Sequence, residues 1–365
     1  MKKLAQIHKW IALGFGIFWV LQAVSGALLV FQRELTDLTT IAPYGKDMPY
    51  TNAGLSIGIE KLKQTNPTHK PVFLINNSTS YNIFDLITET PEKELPVYRL
   101  SATTGDTYKT YYWEGSVSTL SFFRALHLFH TRLLAGNLGH WIIGLSGIFL
   151  TTSLALGLYI GWPRNRTAKH VLKPKAFKFK IASLYAWHRA VGLWCVFLLL
   201  FITVSGTIQV WQSSLRSMLG ATHNPTIERA ENSGLTLSLT DAINIAKQEF
   251  PGSALAMVSF PQASTPYYQV RLTQPDESRL VYGTTTLYIS EQDGRILRIY
   301  NPLTTKSLKL KVFDALYPLH TGEFWGLTGR ILYLIAAIGL VLLTVMGLSL
   351  WMLKSRRTTR KKITS

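Results

Sequence analysis

Four histidines stand at places where a side chain could do chemistry. His8 and His188 open apolar runs, in IHKWIALGFGIFW and WHRAVGLWCVFLL. His130 and His320 stand shortly before two others, in FHTRLLAGNLGH and PLHTGEFWGLTGR. A neutral imidazole offers a lone pair to a metal through one ring nitrogen while the other nitrogen is held by a hydrogen bond. Haem iron takes two such axial ligands from the protein. A single histidine at a membrane surface is ordinarily an amphipathic side chain at headgroup level. Two related pairs ask for a common task.

The pairs are related by a duplication. At an offset of 180, His8-Lys9 falls on His188-Arg189, Val24-Ser25-Gly26 on Val204-Ser205-Gly206, and Gln32 on Gln212. At an offset of 190, His130-Thr131 falls on His320-Thr321, Gly139 on Gly329, and Gly157-Leu158 on Gly347-Leu348. Each half then reads as span, polar segment, span, and both halves cross a bilayer in the same direction. His127 falls on Tyr317 and His140 on Arg330, so neither is duplicated.

Four runs are long and apolar enough to span a bilayer, which needs about 20 residues. They are Trp10 to Phe31, Trp141 to Trp162, Ala190 to Trp211 and Ile331 to Leu353. Three short flanking segments carry 17 of the 38 Lys and Arg and none of the 20 Asp and Glu. This is the positive-inside pattern. It accounts for the net charge of +18 as topology and leaves no argument for nucleic acid.

The expected organisation follows. Residues 1–31 hold a cytoplasmic N-terminus and span 1, 141–162 span 2, 163–189 a basic cytoplasmic loop, 190–211 span 3, 331–353 span 4, and 354–365 a basic cytoplasmic tail. Residues 32–140 and 212–330 are two periplasmic α+β domains, each ending in an outer histidine segment. The fold class is membrane α-helical: a four-helix transmembrane bundle built from a tandem repeat, with two extramembrane domains. The first span is read as an uncleaved anchor because no A-x-A site follows it. The lone Cys195 lies in span 3, which excludes c-type haem, iron–sulfur and thiolate zinc sites. No G-x-S-x-G occurs, and no hydrolase constellation is visible.

In the second polar segment, LSLTDAINIAKQEF is an amphipathic helix with Thr240 as its expected N-cap. Strands follow in ALAMVSF, YYQVRLTQ, TTTLYIS and RILRIY, with Asp293-Gly294 turning the last hairpin. The first segment gives a helix near Leu55 to Gln64, strands at VFLIN, YNIFDL and VYRLSA, and a turn at Thr104-Gly105-Asp106. Helix, strands and the closing YISEQDGRILRIY hairpin resemble a PepSY domain. With the histidine starts, the L-H-T phrase and the glycine-leucine ends, the chain resembles the PepSY-associated transmembrane family over nearly its whole length.

Some members of that family resemble di-haem siderophore reductases of the bacterial inner membrane, and others carry a fused flavin reductase. The resemblance implies a ferric siderophore or other iron chelate as substrate. No flavodoxin or nicotinamide module is expected here, so electrons would come from a separate cytoplasmic or membrane donor.

Two b-type haems are expected, one near each face of the lipid bilayer, with His8 and His188 as inner ligands and His130 and His320 as outer ones. His127 and His140 remain alternatives at the outer site. His130 and His320 precede their spans by about ten residues, or about 15 Å of straight helix, so the chain must fold back. Gly136, Gly139, Gly326 and Gly329 are the expected places for the bend. Propionates need cationic partners. Lys9 and Arg189 adjoin the inner histidines, and Arg124, Arg132 and Arg330 lie near the outer ones. Topology alone explains Lys9 and Arg189. The competing reading is a membrane-anchored PepSY module that binds or regulates a peptidase or envelope protein without redox chemistry. That reading gives the four histidines no task. His69, His170 and His223 are read as surface residues, most tryptophans as an interfacial belt, and Tyr111-Tyr112-Trp113 and Tyr267-Tyr268 as packed core.

Overall fold

The computed structural model describes residues 1–39, 52–79, 83–113, 121–164, 168–222 and 237–363; His223 lies outside them. In chain order the first half forms α1 (Lys2–Val30), α2 (Gln32–Thr39), α3 (Asn52–Thr65), β1 (Lys70–Asn76), β2 (Ile83–Glu89), β3 (Pro96–Ser101), β4 (Thr107–Tyr112), α4 (Phe122–Arg132) and α5 (Gly136–Gly161). After α6 (Ala168–Leu172), the second half forms α7 (Ile181–Val210), α8 (Gln212–Met218), α9 (Leu239–Glu249), β5 (Ala254–Ser259), β6 (Tyr267–Thr273), β7 (Thr285–Ser290), β8 (Ile296–Tyr300), α10 (Leu308–Thr321) and α11 (Gly326–Ile363). A single 3-10 turn, Glu323–Trp325, joins the last two. The chain divides into two compact units.

The first unit, residues 1–30, 127–213 and 316–365, contains the four helices long and apolar enough to cross a membrane. The molecule is a membrane helical protein with extramembrane α+β parts. The helices outrun the apolar stretches: with no Gly or Pro before Trp10, α1 begins at Lys2, and α7 begins at Ile181. His8 and His188 therefore lie within helices rather than ahead of them. Pro163 follows Trp162, the C-cap of α5, and cannot continue it. Helix α1 packs on α5 and α11, and α7 packs on the same two, so α1 and α7 occupy opposite corners. The centre is apolar, with Trp19, Leu154, Val191, Leu199, Ala336 and Leu343 among its buried residues. Trp10, Ile17, Leu145, Phe201 and Ile338 stand exposed on the outside, as lipid-facing side chains do.

The second unit, residues 31–126 and 214–315, is an antiparallel α+β assembly. Strands from both polar segments join in one eight-stranded sheet, β4-β3-β2-β1-β5-β6-β7-β8. The seam is the pairing of β1 with β5, where Phe73, Leu74 and Ile75 face Ser259, Val258 and Met257. One face carries Leu74, Phe84, Leu86, Leu100, Val258, Val270, Leu272 and Leu287 and is covered by α3 and α9. The alternate positions face the other way, as period-two strands require. The N-cap of α9 is Ser238, two residues before the expected Thr240: its hydroxyl accepts from the Asp241 N–H. Thr240 is instead bonded to Ser56 on α3. Gly105 and Gly294 hold positive φ in the two expected turns. Tyr111 and Tyr268 are core residues, bonded to Asp85 and to the Leu237 carbonyl.

Candidate functional site: two histidine pairs in the helical unit

The opposite corners of the bundle bring His8 and His188 together, with ring centres 6.3 Å apart. Each ring is seated on the neighbouring helix in the same manner. His8 Nδ1 lies 3.0 Å from the Ser153 carbonyl on α5, and its Cε1 would stand 3.3 Å from a Cβ placed on Gly157. His188 Nδ1 lies 3.1 Å from the Leu343 carbonyl on α11, and its Cε1 would stand 3.6 Å from a Cβ on Gly347. A carbonyl can only accept, so Nδ1 carries the proton in both rings. That leaves Nε2 with the lone pair a metal requires.

The second pair repeats the arrangement. His130 and His320 have ring centres 6.2 Å apart. His320 donates from Nδ1 to the Ile202 carbonyl on α7 at 2.8 Å and packs against Gly206. His130 packs against Gly26 on α1, its Nδ1 2.9 Å from Ser25 Oγ and also bonded to the Gln22 backbone. In three cases the carbonyl that fixes Nδ1 lies four residues before the glycine that seats the ring; for His130 the Ser25 hydroxyl, directly before Gly26, is the side-chain partner. One helical turn separates the two functions in those three. A Cβ would press on the imidazole hardest at Gly206, at 2.4 Å, less at Gly26, at 3.0 Å, and would make only ordinary contact at Gly347.

Short helices and tight turns deliver this second pair. Helix α4 stops at Arg132, and Leu133, Leu134 and Gly136 take left-handed φ values of 53°, 57° and 56° before α5 departs. Helix α10 stops at Thr321, and Gly322 and Gly326 take φ of 80° and 60° around the 3-10 turn. Gly136 and Gly326 are bend points, as expected. Gly139 and Gly329 act differently: they are where each hairpin closes. A Cβ there would come within 1.7 Å of the Arg132 carbonyl oxygen and 2.2 Å of the Gly322 carbonyl oxygen. Sequence reasoning missed Leu133, Leu134 and Gly322. Gly322 follows a histidine-bearing helix at the C′ position, a recognisable signal; the two leucines gave none.

The ring that meets His320 is that of His130. His127 occupies the place of Tyr317, and each gives its carbonyl to the threonine four residues on, Thr131 or Thr321. His140 is committed through Nε2 to the Val210 carbonyl at 2.7 Å. Arg330 is buried and donates from Nε and Nη2 to the carbonyl of Val30, the last residue of α1. Arg189 donates to the carbonyl of Gly161, the last residue of α5. Both cations close a helix C-terminus, where the carbonyl dipoles favour them. Lys9 sits 4.4 Å over the Trp10 ring, and Arg132 is exposed at the end of α4. In the other unit Arg124 stacks 3.6 Å over Trp113 and donates to its carbonyl. His69 bonds Tyr98, and His170 is exposed. Trp19 departs from the belt pattern: it is buried between the histidine levels and donates to Ser146 Oγ at 3.0 Å.

A family model described as the PepSY-associated TM region matches residues 5–354. The chain belongs to that family. No curated protein matches it. Within the PepSY-associated frame, the donor sets can be tested against a cofactor. Among the described residues no group of three or more His, Cys, Asp or Glu could hold a metal ion. Two imidazoles are too few for a structural or catalytic zinc. They are the number haem iron asks of a protein. The residues present fit haem.

Proposed function

We propose that this chain is a di-haem b electron-transfer protein of the bacterial inner membrane that reduces a ferric siderophore or comparable iron chelate on the periplasmic side. The observation that carries the proposal is the double pairing, each ring fixed at Nδ1 and seated on a glycine. His8 and His188 would hold one haem, and His130 and His320 the other. Haem, when bound, supplies reversible one-electron chemistry. The chain's own residues supply the rest. The backbone carbonyls of Ser153, Leu343 and Ile202 fix three of the rings in the ligating tautomer, and Ser25 with the Gln22 backbone holds the fourth. The apolar bundle centre excludes water between the two levels. On α1, His8 and Gly26 are 18 residues apart, so the levels lie about 27 Å apart along the axis.

The matching contacts at offsets of 180 and 190 support a tandem duplication. The basic segments support cytoplasmic termini, with both polar segments on the periplasmic side. Electrons would then enter from a cytoplasmic or membrane donor. Reducing a ferric chelate loosens its hold, because the softer ferrous ion binds hard oxygen donors less tightly.

The test is an absorption spectrum of the purified protein, oxidised and reduced, with pyridine haemochrome quantification. The expected result is a b-type spectrum with two haems per chain. His188→Ala and His320→Ala should each lose one haem and keep the other. Protein that stays colourless when produced with ample haem would overturn the proposal. A non-redox module binding an envelope protein or peptidase would then be the reading left.

A further inference from the structure

The segment joining α5 to α7 carries residues that the histidine pairs do not use. Residues 173–180 read KPKAFKFK, and residues 163–189 contain no Asp or Glu. Lys173, Lys175, Lys178 and Lys180 are exposed, and so are Phe177 and Phe179, at 53% and 68%. A topology signal needs only the cations. It gives no reason to hold two phenylalanines in water, where each large apolar side chain costs free energy.

The segment is pinned against the first turns of α7. Trp187 Nε1 donates to the Lys175 carbonyl at 3.0 Å, and the Lys178 N–H donates to Ser183 Oγ, also at 3.0 Å. The Phe177 ring meets Trp187 edge-on with centres 6.4 Å apart, and Trp187 meets Trp194 edge-on at 6.1 Å. Trp187 and Trp194 are seven residues apart, two turns along one face of α7. Trp194 lies inside the apolar run and is exposed on the outside of the bundle, as a lipid-facing side chain is. The three rings therefore form a ladder from the lipid-facing side of α7 to the basic segment. Phe177 ends that ladder at the level where the helix leaves the apolar run, the place tryptophans take at a bilayer surface. Lysines there keep their stems on apolar surface and put their ammonium groups among the headgroups.

We propose that residues 173–180 form a docking surface for anionic phospholipid on their own side of the bilayer. Phe177 and Phe179 enter the boundary between headgroups and acyl chains, and the four lysines bind lipid phosphates. An acidic soluble protein would match the charge, but it would leave the ladder to a lipid-facing tryptophan without a task. The inference rests on the membrane-length helices and holds whether or not the chain carries haem.

The test uses full-length protein in which Cys195→Ala removes the native thiol and Phe179→Cys carries an environment-sensitive fluorophore. It is reconstituted in vesicles of phosphatidylcholine alone and of equimolar phosphatidylcholine and phosphatidylglycerol. In the anionic vesicles the emission should shift to the blue, escape quenching by aqueous iodide and be quenched by brominated lipid. Replacing all four lysines by glutamine should remove most of the difference between the two lipids, since each lysine near an anionic surface is worth about fivefold in affinity. Added salt should erode the difference in the same direction. On unlabelled protein, phosphatidylglycerol should raise the melting temperature of wild type and leave that of the four-glutamine variant unchanged. A fluorophore open to iodide in both vesicles would overturn the proposal and leave an acidic protein as the occupant. An equal response to both lipids, or a response that survives loss of the lysines, would also overturn it. Haem content read on the same samples tests the redox reading separately.

Discussion

At the residue scale the glycines are as informative as the histidines. A Cβ on Gly206 would lie 2.4 Å from His320 Cε1 and 2.8 Å from its Nδ1, distances at which the ring must move. A Cβ on Gly347 would meet His188 at 3.6 Å, an ordinary contact. Gly206→Ala should therefore cost the haem of the His130 and His320 pair, halving haem content, while Gly347→Ala keeps both. Pyridine haemochrome on the two variants checks this, and equal haem content in both would count against the seating argument. The histidines themselves were legible because matching sequence at offsets of 180 and 190 placed them. Their seats were only half legible: Gly26 and Gly206 stood out as matched positions beside serines, yet nothing local showed that an imidazole ring packs on them.

At the element scale, the turns between short and long helices decide whether the second histidine pair forms. In the α10–α11 hairpin, a Cβ on Gly329 would stand 2.2 Å from the Gly322 carbonyl oxygen and 2.9 Å from Trp325 Cβ. Backbone cannot yield as a flexible side chain does, so Gly329→Ala should open the hairpin and carry His320 away from its place. The expected loss is one haem, that of the His130 and His320 pair, measured against Gly14→Ala. A Cβ on Gly14 would meet nothing within 4 Å, so that variant should keep both. Single-sequence reading found the need for a fold-back from length alone, since ten residues of helix separate each histidine from its span. It could not find two consecutive leucines at positive φ, which L-residues rarely adopt. Most strands were legible from alternation, but β4 was not, because Thr107–Tyr112 carries no apolar-polar alternation. The β1–β5 seam joins residues some 180 positions apart, and nothing local encodes that partner.

At the scale of the whole molecule, the two units draw stability from different sources. The hydrogen bonds that orient the four histidines lie wholly inside the helical unit, between its own helices. The sheet unit depends on a buried charge network in which Asp85 is fully buried and takes bonds from Arg99, Tyr111 and Asn77. Asp85→Ala leaves the Arg99 guanidinium buried without its anion, at a cost of about 3–5 kcal/mol. That is a large share of the stability of an ordinary domain. The sheet should melt at markedly lower temperature in this variant, followed by far-ultraviolet circular dichroism, while the Soret band of the same sample holds to its wild-type transition. Asp85→Leu with Arg99→Met should recover much of the loss, because replacing both partners by apolar groups leaves no charge stranded. Coincident loss of sheet signal and Soret band in Asp85→Ala would show that the haem seats require the sheet, and the separation of stabilities argued from their hydrogen bonds would fail.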